Sequence, residues 1–199
     1  MSSIRTSTGS IRIVAGRHRG RKLIVPTGSN IRPTAERIRE AIFNVLSHNH
    51  WRVTEGPLPR RARVLDAFAG SGALGLEALS RGASEVLLLD PDRAARAAIE
   101  SNIDTLDETG QAFVAPRDAT LPGTMPGQAR FALVLADAPY GSGLAAPALA
   151  AFAKNGWLED GAVAAVELNG KEPWEPPPGF TTADERRYGR TRLVFLEWG

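Results

Sequence analysis

Apolar and polar residues follow two different patterns along the chain, and these predict an amino-terminal extension followed by an α/β body. From Val64 onward, short apolar runs alternate with segments whose apolar residues recur at helical spacing. The predicted strands are RVLDAFA, SEVLLLD, QAFVAP, FALVLAD and GAVAAVEL, and the predicted helices are GALGLEALSRG, DRAARAAIESNI and LAAPALAAFAKNG. This alternation predicts a parallel, doubly wound sheet with helices on both faces.

The two ends of the chain depart from that alternation. The last segment, ADERRYGRTRLVFLEW, is too short for a crossover helix, so it predicts an antiparallel hairpin that turns at Tyr188, Gly189 and Arg190. Near the start, SIRIVAGRHRGRKLIVPTG predicts a β-hairpin with its basic residues at or near the turn. RPTAERIREAIFNVL then predicts an amphipathic helix, with Pro33 just before it and Thr34 placed to cap it.

These patterns predict four parts of the chain. We expect a disordered tail at residues 1–10, a basic hairpin and helix extension at 11–50, a linker at 51–63 and the main α/β domain at 64–199. A hairpin and one helix are too little for an independent core, so the extension is expected to be an appendage of the main domain.

Charge separates the extension from the body. Residues 1–63 hold 13 Arg and Lys against 3 acids, whereas residues 64–199 hold 11 against 19, although the net charge of the whole chain is only +2. An Arg-rich surface suits recognition of phosphates and base edges, and an acidic body suits a cationic small ligand. Composition alone is equally compatible with ordinary solvated charged faces.

Composition also excludes several kinds of chemistry. The chain has no cysteine, so disulfides, thiol catalysis and thiolate metal sites are excluded. His48 and His50 are two residues apart, which does not place both on one helix face, and we expect no metal there. No apolar run is long enough to span a membrane and MSSIRTSTGS lacks a signal-peptide core, so a cytoplasmic protein without membrane contact is expected.

The glycine-rich turn after the first strand of the body predicts a nucleotide-type cofactor. Gly70, Gly72 and Gly75 match G-x-G-x-x-G between a strand and a helix, and Asp90 follows Gly70 by 20 residues. Taken alone, this is the dinucleotide fingerprint. Asp66, at the tip of the first strand, counts against a dinucleotide because its carboxylate would repel a pyrophosphate. S-adenosylmethionine, which carries an ammonium and a sulfonium but no phosphate, fits this turn better.

On that hypothesis, each acid at a strand end has a role. The glycine turn presents backbone N–H groups to the cofactor carboxylate. Asp66 attracts the ammonium, Asp90 accepts from the ribose hydroxyls, and Asp118 in APRDAT faces the adenine amino group. Any one of them could instead be a simple helix cap. Four acids at four successive strand ends, Asp137 included, are harder to explain that way.

The stretch ADAPYG at the end of FALVLAD predicts the site of methyl transfer. An exocyclic amine of a nucleobase becomes more nucleophilic when acceptors face its N–H groups. The Asp137 carboxylate and the Ala138 carbonyl, which precedes Pro139, are two such acceptors. Tyr140 offers a face on which an extruded base could stack, and Gly141 leaves room for it.

These segments resemble the RsmD family of bacterial methyltransferases, which modify a guanine N2 of 16S ribosomal RNA. The resemblance rests on DAFAGSGALGLEALSRGA, on DAPY, on YGRTRLVFLEW and above all on RIVAGRHRGRKLIVPTGSNIRPTAERIREAIFNVL. It implies a seven-stranded class I fold dependent on S-adenosylmethionine, with residues 64–199 as its catalytic domain. It also implies that Arg32 to Thr34 and the helix after them pack over the cofactor. One departure is Ala138, where the family usually has a proline.

The resemblance also implies a partner. We expect 16S ribosomal RNA, within a small subunit or an assembly intermediate, to be bound by a monomer through Arg17, Arg19, Arg21 and Lys22 of the hairpin. Two alternatives remain open at this stage. The enzyme could methylate another amine, such as adenine N6 or a protein glutamine, or the chain could be a non-catalytic RNA-binding assembly factor. An NAD-dependent oxidoreductase is a third and more distant possibility.

Overall fold

The computed structural model describes residues 11–26, 34–49, 51 and 56–199. The amino-terminal strands are β1 (Ile11–Arg12) and β2 (Lys22–Leu23). The helices are α1 (Thr34–His48), α2 (Ala73–Ser80), α3 (Arg93–Leu106) and α4 (Ala145–Lys154). The remaining strands are β3 (Arg63–Asp66), β4 (Glu85–Leu89), β5 (Ala112–Ala115), β6 (Phe131–Ala136), β7 (Leu158–Asn169), β8 (Phe180–Tyr188) and β9 (Thr191–Trp198).

Seven strands form one sheet in the order β5-β4-β3-β6-β7-β9-β8. β5, β4, β3, β6 and β7 are mutually parallel, and β9 and β8 run antiparallel at one edge. This confirms the predicted doubly wound sheet and its carboxyl-terminal hairpin. From β3 the chain runs outward through β4 to β5 and then crosses back to β6 on the other side of β3. Ligands of such sheets bind at the strand ends beside this switch point.

Alternate residues of the central strands enter two separate cores. Val64, Val86 and Leu133 pack with α1, α2 and α3 on one face of the sheet. Leu65 and Val134 pack with α4 on the other face. A parallel strand covered on both faces must be apolar at successive positions, which is why these strands are continuous apolar runs rather than alternating ones.

The amino-terminal hairpin is present, but its ladder is short. β1 and β2 pair over two residues each, with Ile11 opposite Leu23, and the chain between them turns through Gly16 and Gly20, both at positive φ. Gly16 lies so close to α2 that an added Cβ would stand 1.9 Å from the carbonyl oxygen of Ser80. The hairpin is therefore docked on the main sheet's helical layer.

A buried carboxylate holds this extension in place. Glu77 of α2 is fully buried and accepts hydrogen bonds from the backbone N–H groups of Val14 (2.7 Å) and Ala15 (2.9 Å). It also pairs with Arg81 at 2.7 Å and with Arg39 of α1 at 3.5 Å. Burial lowers the pKa of Arg39, and the Glu77 carboxylate opposes that change. One side chain thus joins the hairpin, α1 and the helix that follows the glycine turn.

The structure adds detail to the predicted helix start and to the predicted linker at 51–63. α1 begins at Thr34, so the predicted cap is the first helical residue; Pro33 and the tail at 1–10 lie outside the described residues. In the predicted linker, Leu58 is buried and Trp51 stacks on Phe195 at 5.5 Å between ring centroids. In the described part of the chain, no helix is long and apolar enough to cross a membrane.

Candidate active site

Four aspartates lie at one edge of the parallel sheet. Asp66 ends β3, Asp90 follows β4, Asp137 follows β6, and Asp118 lies three residues after β5. Because the strand order is β5-β4-β3-β6, these four ends are neighbours along the carboxyl edge. The sequence prediction that the acids gather at one edge of the sheet agrees with this topology.

Asp66 is a buried carboxylate with one uncommitted oxygen. Its side chain is 1% exposed, and Oδ2 accepts a hydrogen bond of 2.8 Å from the backbone N–H of Gly75. Oδ1 is buried without a well-formed hydrogen bond from any described residue. The Phe68 N–H lies near enough to favour the charged form without completing such a bond.

The surroundings of Asp66 change its acidity. Burial raises the pKa of Asp66 from 3.8 to about 7, the Gly75 N–H opposes that rise, and the nearby Asp90 carboxylate adds to it. A carboxyl group in this state is half ionised near neutral pH. A cation placed at Oδ1 would both satisfy the oxygen and favour its charged form.

The glycines of the turn serve distinct purposes. Gly70 (φ 55°) and Gly72 (φ 77°) adopt the left-handed conformation that starts α2. Gly75 has ordinary φ, but an added Cβ would lie 2.8 Å from Val86 Cγ1 and 3.2 Å from Asp66 Oδ2. Gly75 therefore allows α2 to approach β3 and β4 closely enough for its N–H to reach Asp66.

The start of α2 offers backbone donors. The N–H of Gly72 is bonded to Ala69 at 2.6 Å and that of Leu76 to Gly72 at 2.9 Å. Those of Ala73 and Leu74 donate to no acceptor within the described residues. Free N–H groups at a helix start favour an anionic partner such as a carboxylate.

Asp90 and Asp118 already make local hydrogen bonds. Asp90 Oδ2 accepts from the Gly70 N–H at 2.9 Å and Oδ1 from the Asp92 N–H at 2.8 Å. Asp118 is exposed, and its Oδ1 accepts from the Thr120 N–H and hydroxyl at 2.8 and 2.7 Å. Each carboxylate has further lone pairs available for a ligand.

The loop after β6 is held through Tyr140. Its hydroxyl donates to Glu167 Oε1 of β7 at 2.5 Å and lies 3.1 Å from Thr191 Oγ1 at the start of β9. Burial and the Glu167 carboxylate raise the pKa of Tyr140 to about 12, with a smaller contribution from Asp137. Tyr140 is therefore neutral at ordinary pH, and its ring is oriented from the hydroxyl end.

Two further contacts order the same loop. The Gly141 N–H donates to Glu172 Oε2 at 3.1 Å, and the Ser142 N–H to the Pro139 carbonyl at 3.1 Å. Asp137 is exposed at the sheet edge, whereas Ala138 is 6% exposed. Within the described residues, no hydrogen bond reaches the Ala138 carbonyl. These contacts hold the loop around Ala138.

Three contributors to the site were missed by the sequence analysis. Glu167 and Thr191 orient Tyr140, and Asn102 of α3 ties the glycine turn to the extension. Asn102 is 1% exposed; its Oδ1 accepts from the Ile24 N–H at 2.7 Å, and its Nδ2 donates to the Ile24 carbonyl at 2.9 Å and the Ser71 carbonyl at 3.0 Å. The available signals were a polar residue on the apolar face of α3 and an acid within the apolar strand β7.

The predicted RNA-binding residues divide into two groups. Arg17 donates to Glu108 Oε1 at 2.6 Å and to Gln111 Oε1 at 2.9 Å, and His18 also pairs with Glu108. Arg21 donates to the Thr105 carbonyl at 2.5 Å. The side chains of Arg19 and Lys22 are exposed.

Some predicted site residues fall outside what the structure describes. The Thr34 side chain, Arg32 and Pro33 are not described, so their predicted place over the cofactor stays a prediction. His50 also lies outside the described residues. His48 is described, and its Nδ1 lies 2.7 Å from the Asn44 carbonyl.

Known proteins resemble this chain in sequence. A family model described as conserved hypothetical protein 95 matches residues 11–197. Ribosomal RNA small subunit methyltransferase D of Haemophilus influenzae is 35% identical over 196 residues, covering 95% of this chain and 95% of its own. The Escherichia coli protein of the same name is 40% identical over 162 residues, covering 81% of this chain and 76% of its own.

Solved structures resemble it in fold. The putative methyltransferase yhhF from Escherichia coli has a TM-score of 0.79 at 36% identity and covers 96% of this chain and 98% of its own. The 16S rRNA N2 methyltransferase RsmC of Thermus thermophilus, in complex with AdoMet and guanosine, has a TM-score of 0.65 at 21% identity, covering 96% of this chain and 50% of its own.

Sheet order, glycine turn and strand-end acids together define a class I methyltransferase with a Rossmann-like fold. The matching family model extends over nearly the whole chain. The chain belongs to that family, the RsmD family, and the two relatives above are named ribosomal RNA small subunit methyltransferases.

Proposed function

We propose that this protein transfers a methyl group from S-adenosylmethionine to the exocyclic N2 amine of a guanine in 16S ribosomal RNA. The observation that carries the proposal is the pair of sites at adjacent strand ends. Asp66, with its uncommitted buried oxygen, ends β3, and Asp137 follows the neighbouring strand β6, in which Leu135 is the register partner of Asp66. Neighbouring strands lie about 5 Å apart, so a donor at one end adjoins an acceptor at the other.

The residues at the first strand end fit the donor. Asp66 Oδ1 would accept from the ammonium, and the Ala73 and Leu74 N–H groups suit the carboxylate. Asp90 would accept from the ribose hydroxyls and Asp118 from the adenine amine. A pyrophosphate would instead be placed beside the Asp66 carboxylate, which disfavours a dinucleotide. When bound, the donor supplies a methyl group on a positively charged sulfur.

The residues at the second strand end fit the acceptor. The exocyclic amine of guanine is a weak nucleophile because its lone pair is delocalised into the ring. The Asp137 carboxylate and the Ala138 carbonyl would each accept one of its N–H groups, which favours the tetrahedral nitrogen needed for attack. The amine nitrogen would form its N–C bond as the sulfur–methyl bond breaks, and the alkylated nitrogen would then give up one proton, for which the adjacent Asp137 carboxylate is an acceptor. Tyr140, fixed by Glu167 and Thr191, would stack on the base.

The relatives support the choice of substrate. Two curated relatives are named for the small-subunit ribosomal RNA, and the structural neighbour RsmC was solved with AdoMet and guanosine. The basic extension supports a nucleic acid rather than a protein substrate. Arg19 and Lys22 are the hairpin cations best placed for phosphates, because Arg17 and Arg21 are bonded within the chain.

A transfer assay tests the proposal. The protein is incubated with donor labelled on its methyl group and with small ribosomal subunits, or their RNA, from a strain lacking the endogenous enzyme. We expect label in the RNA from the wild-type protein and none from Asp137→Ala. The control is Asp160→Ala, an exposed acid near the start of β7 at the opposite edge of the sheet, which should keep full activity.

Donor binding by calorimetry completes the test. We expect Asp137→Ala to bind the donor nearly as well as the wild-type protein does, since that residue faces the acceptor. Loss of donor binding in this variant would contradict the assignment of Asp137. A wild-type protein that binds RNA but no donor would be an assembly factor, and label on adenine or protein would overturn the guanine assignment.

A further inference from the structure

Three exposed cations lie around Gly170 at the carboxyl end of β7. Lys171 follows Gly170 in sequence, and Arg187 and Arg190 flank the turn between β8 and β9. The Gly170 N–H donates to the Arg190 carbonyl at 2.7 Å, and Arg187 Nη1 lies 3.4 Å from the Gly170 carbonyl. These contacts therefore bring cations from two separate segments, Lys171 after β7 and Arg187 and Arg190 of the β8–β9 hairpin, to one point, which we call the Gly170 rim.

The Gly170 rim adjoins the loop that holds the target base. Thr191, next to Arg190, lies 3.1 Å from the Tyr140 hydroxyl. Glu172, next to Lys171, accepts the Gly141 N–H at 3.1 Å. Thr191 and Glu172, which contact Tyr140 and Gly141, are thus the immediate neighbours in sequence of two rim cations.

Nearby acids do not neutralise the whole rim. Glu185 pairs with Arg187 at 3.4 Å and with Arg192 at 2.7 Å. Glu172 accepts from the backbone N–H groups of Gly141 and Asn169, and Glu167 is bonded to Tyr140. In the part of the chain that the structure describes, the side chains of Lys171 and Arg190 form no ion pair. Two of the three cations thus remain available to an external anion.

We propose that Lys171 and Arg190 bind an RNA phosphate next to the target nucleotide. This proposal rests on the proposed function and specifies how its substrate is held. A base that reaches the Asp137–Tyr140 loop must leave its stack, and the backbone on either side of it then has to be held near the loop. Phosphate contacts fix position without reading sequence, and an Arg beside a Lys suits that task. Arg187 is held by Glu185 and supports the turn.

The hairpin of the extension is not an alternative for this role. Its cations lie on the segment that docks against α2 and the end of α3, where Arg17 bonds to Glu108 and the Arg17 N–H to the Ser80 carbonyl at 2.9 Å. Those elements pack on the β3–β4 part of the sheet, whereas the Gly170 rim lies beside β7 and β9. The Gly170 rim would therefore contact the RNA separately from the hairpin, whose turn docks at the carboxyl-terminal ends of α2 and α3.

A double variant tests this proposal. Lys171→Gln with Arg190→Gln removes both charges, and Arg130→Gln removes an exposed arginine just before β6, at the opposite edge of the sheet. We expect the double variant to bind substrate RNA roughly 10- to 100-fold more weakly at low salt, since two charge-assisted contacts are lost. The slope of log affinity against log salt should fall by about 1.4 to 1.8. Arg130→Gln should match the wild-type protein in both measurements.

Three readouts separate this role from others. In the double variant, donor affinity should be unchanged, and KM for RNA should rise by a larger factor than kcat falls. The single variant Arg190→Lys keeps the positive charge and should therefore retain most of the wild-type salt slope. An unchanged slope in the double variant would overturn the proposal, whether or not turnover falls. Failure of the proposed function itself gives a different result, namely a wild-type protein that binds RNA and does not methylate it.

Discussion

The buried acid Asp66 makes a quantitative prediction about stability and pH. The proposed perturbation is Asp66→Asn, which keeps the shape of the side chain and the acceptor for the Gly75 N–H but cannot ionise. In the folded wild-type protein, burial raises the pKa of Asp66 from the ordinary value of 3.8 to about 7, and the unfolded chain is taken to have the ordinary value. The comparison between the two proteins isolates this one ionisation from other titrating groups.

The direction of the pH effect on folding stability depends on whether the folded or the unfolded state holds the Asp66 proton more tightly. Below about pH 4, Asp66 is protonated in both states and costs the folded protein nothing. Between about pH 4 and 7 the unfolded chain loses this proton while the folded chain keeps it, so stability falls by about 1.4 kcal/mol per pH unit. Above about pH 7 the loss levels off near 4 kcal/mol. The Asp66→Asn variant has no ionisable group at this position, so its stability does not fall for this reason.

Urea unfolding of the donor-free proteins at several pH values between 4 and 8.5 measures the effect. The free energy of unfolding comes from linear extrapolation, and the quantity of interest is the difference between variant and wild type at each pH. We expect this difference to grow in favour of Asp66→Asn across pH 4 to 7 and then to stay constant. Parallel pH profiles for the two proteins would refute the reasoning, because the carboxyl group would then titrate alike in both states.

Three more perturbations test other parts of the structure. Glu77→Ala should lower the free energy of unfolding by about 3–5 kcal/mol, because it leaves Arg81 and Arg39 without their buried partner, whereas the exposed Glu100→Ala should change it little in the same urea titration. Tyr140→Phe should lower kcat for methyl transfer with donor affinity unchanged, since only the hydroxyl contacts are lost; equal kcat would contradict its positioning role. Ala138→Pro should keep activity and stabilise the protein by about 0.4–1 kcal/mol, and thermal unfolding would show a loss instead if the loop resists the ring.

The sequence predicted the features of the site that depend only on the order of strands and helices along the chain. Alternating strand and helix patterns predict parallel strands whose carboxyl ends meet at one edge of the sheet, so the gathering of Asp66, Asp90 and Asp137 at that edge could be predicted. Contacts between distant segments could not. Glu77 looks like an ordinary helical residue until Val14 and Ala15, more than 60 positions earlier, are placed against it. Arg17 looked available for RNA because Glu108 and Gln111 lie about 90 positions away.

The central claim is that this edge of the sheet methylates the N2 amine of a guanine in small-subunit ribosomal RNA. Mass spectrometry of nucleosides tests it most directly, after wild-type protein and methyl-labelled donor have acted on unmodified small subunits and the RNA has been digested. The account predicts one labelled product, N2-methylguanosine, which disappears with Asp137→Ala. Label in any other nucleoside, or labelled N2-methylguanosine that persists with Asp137→Ala, would contradict it.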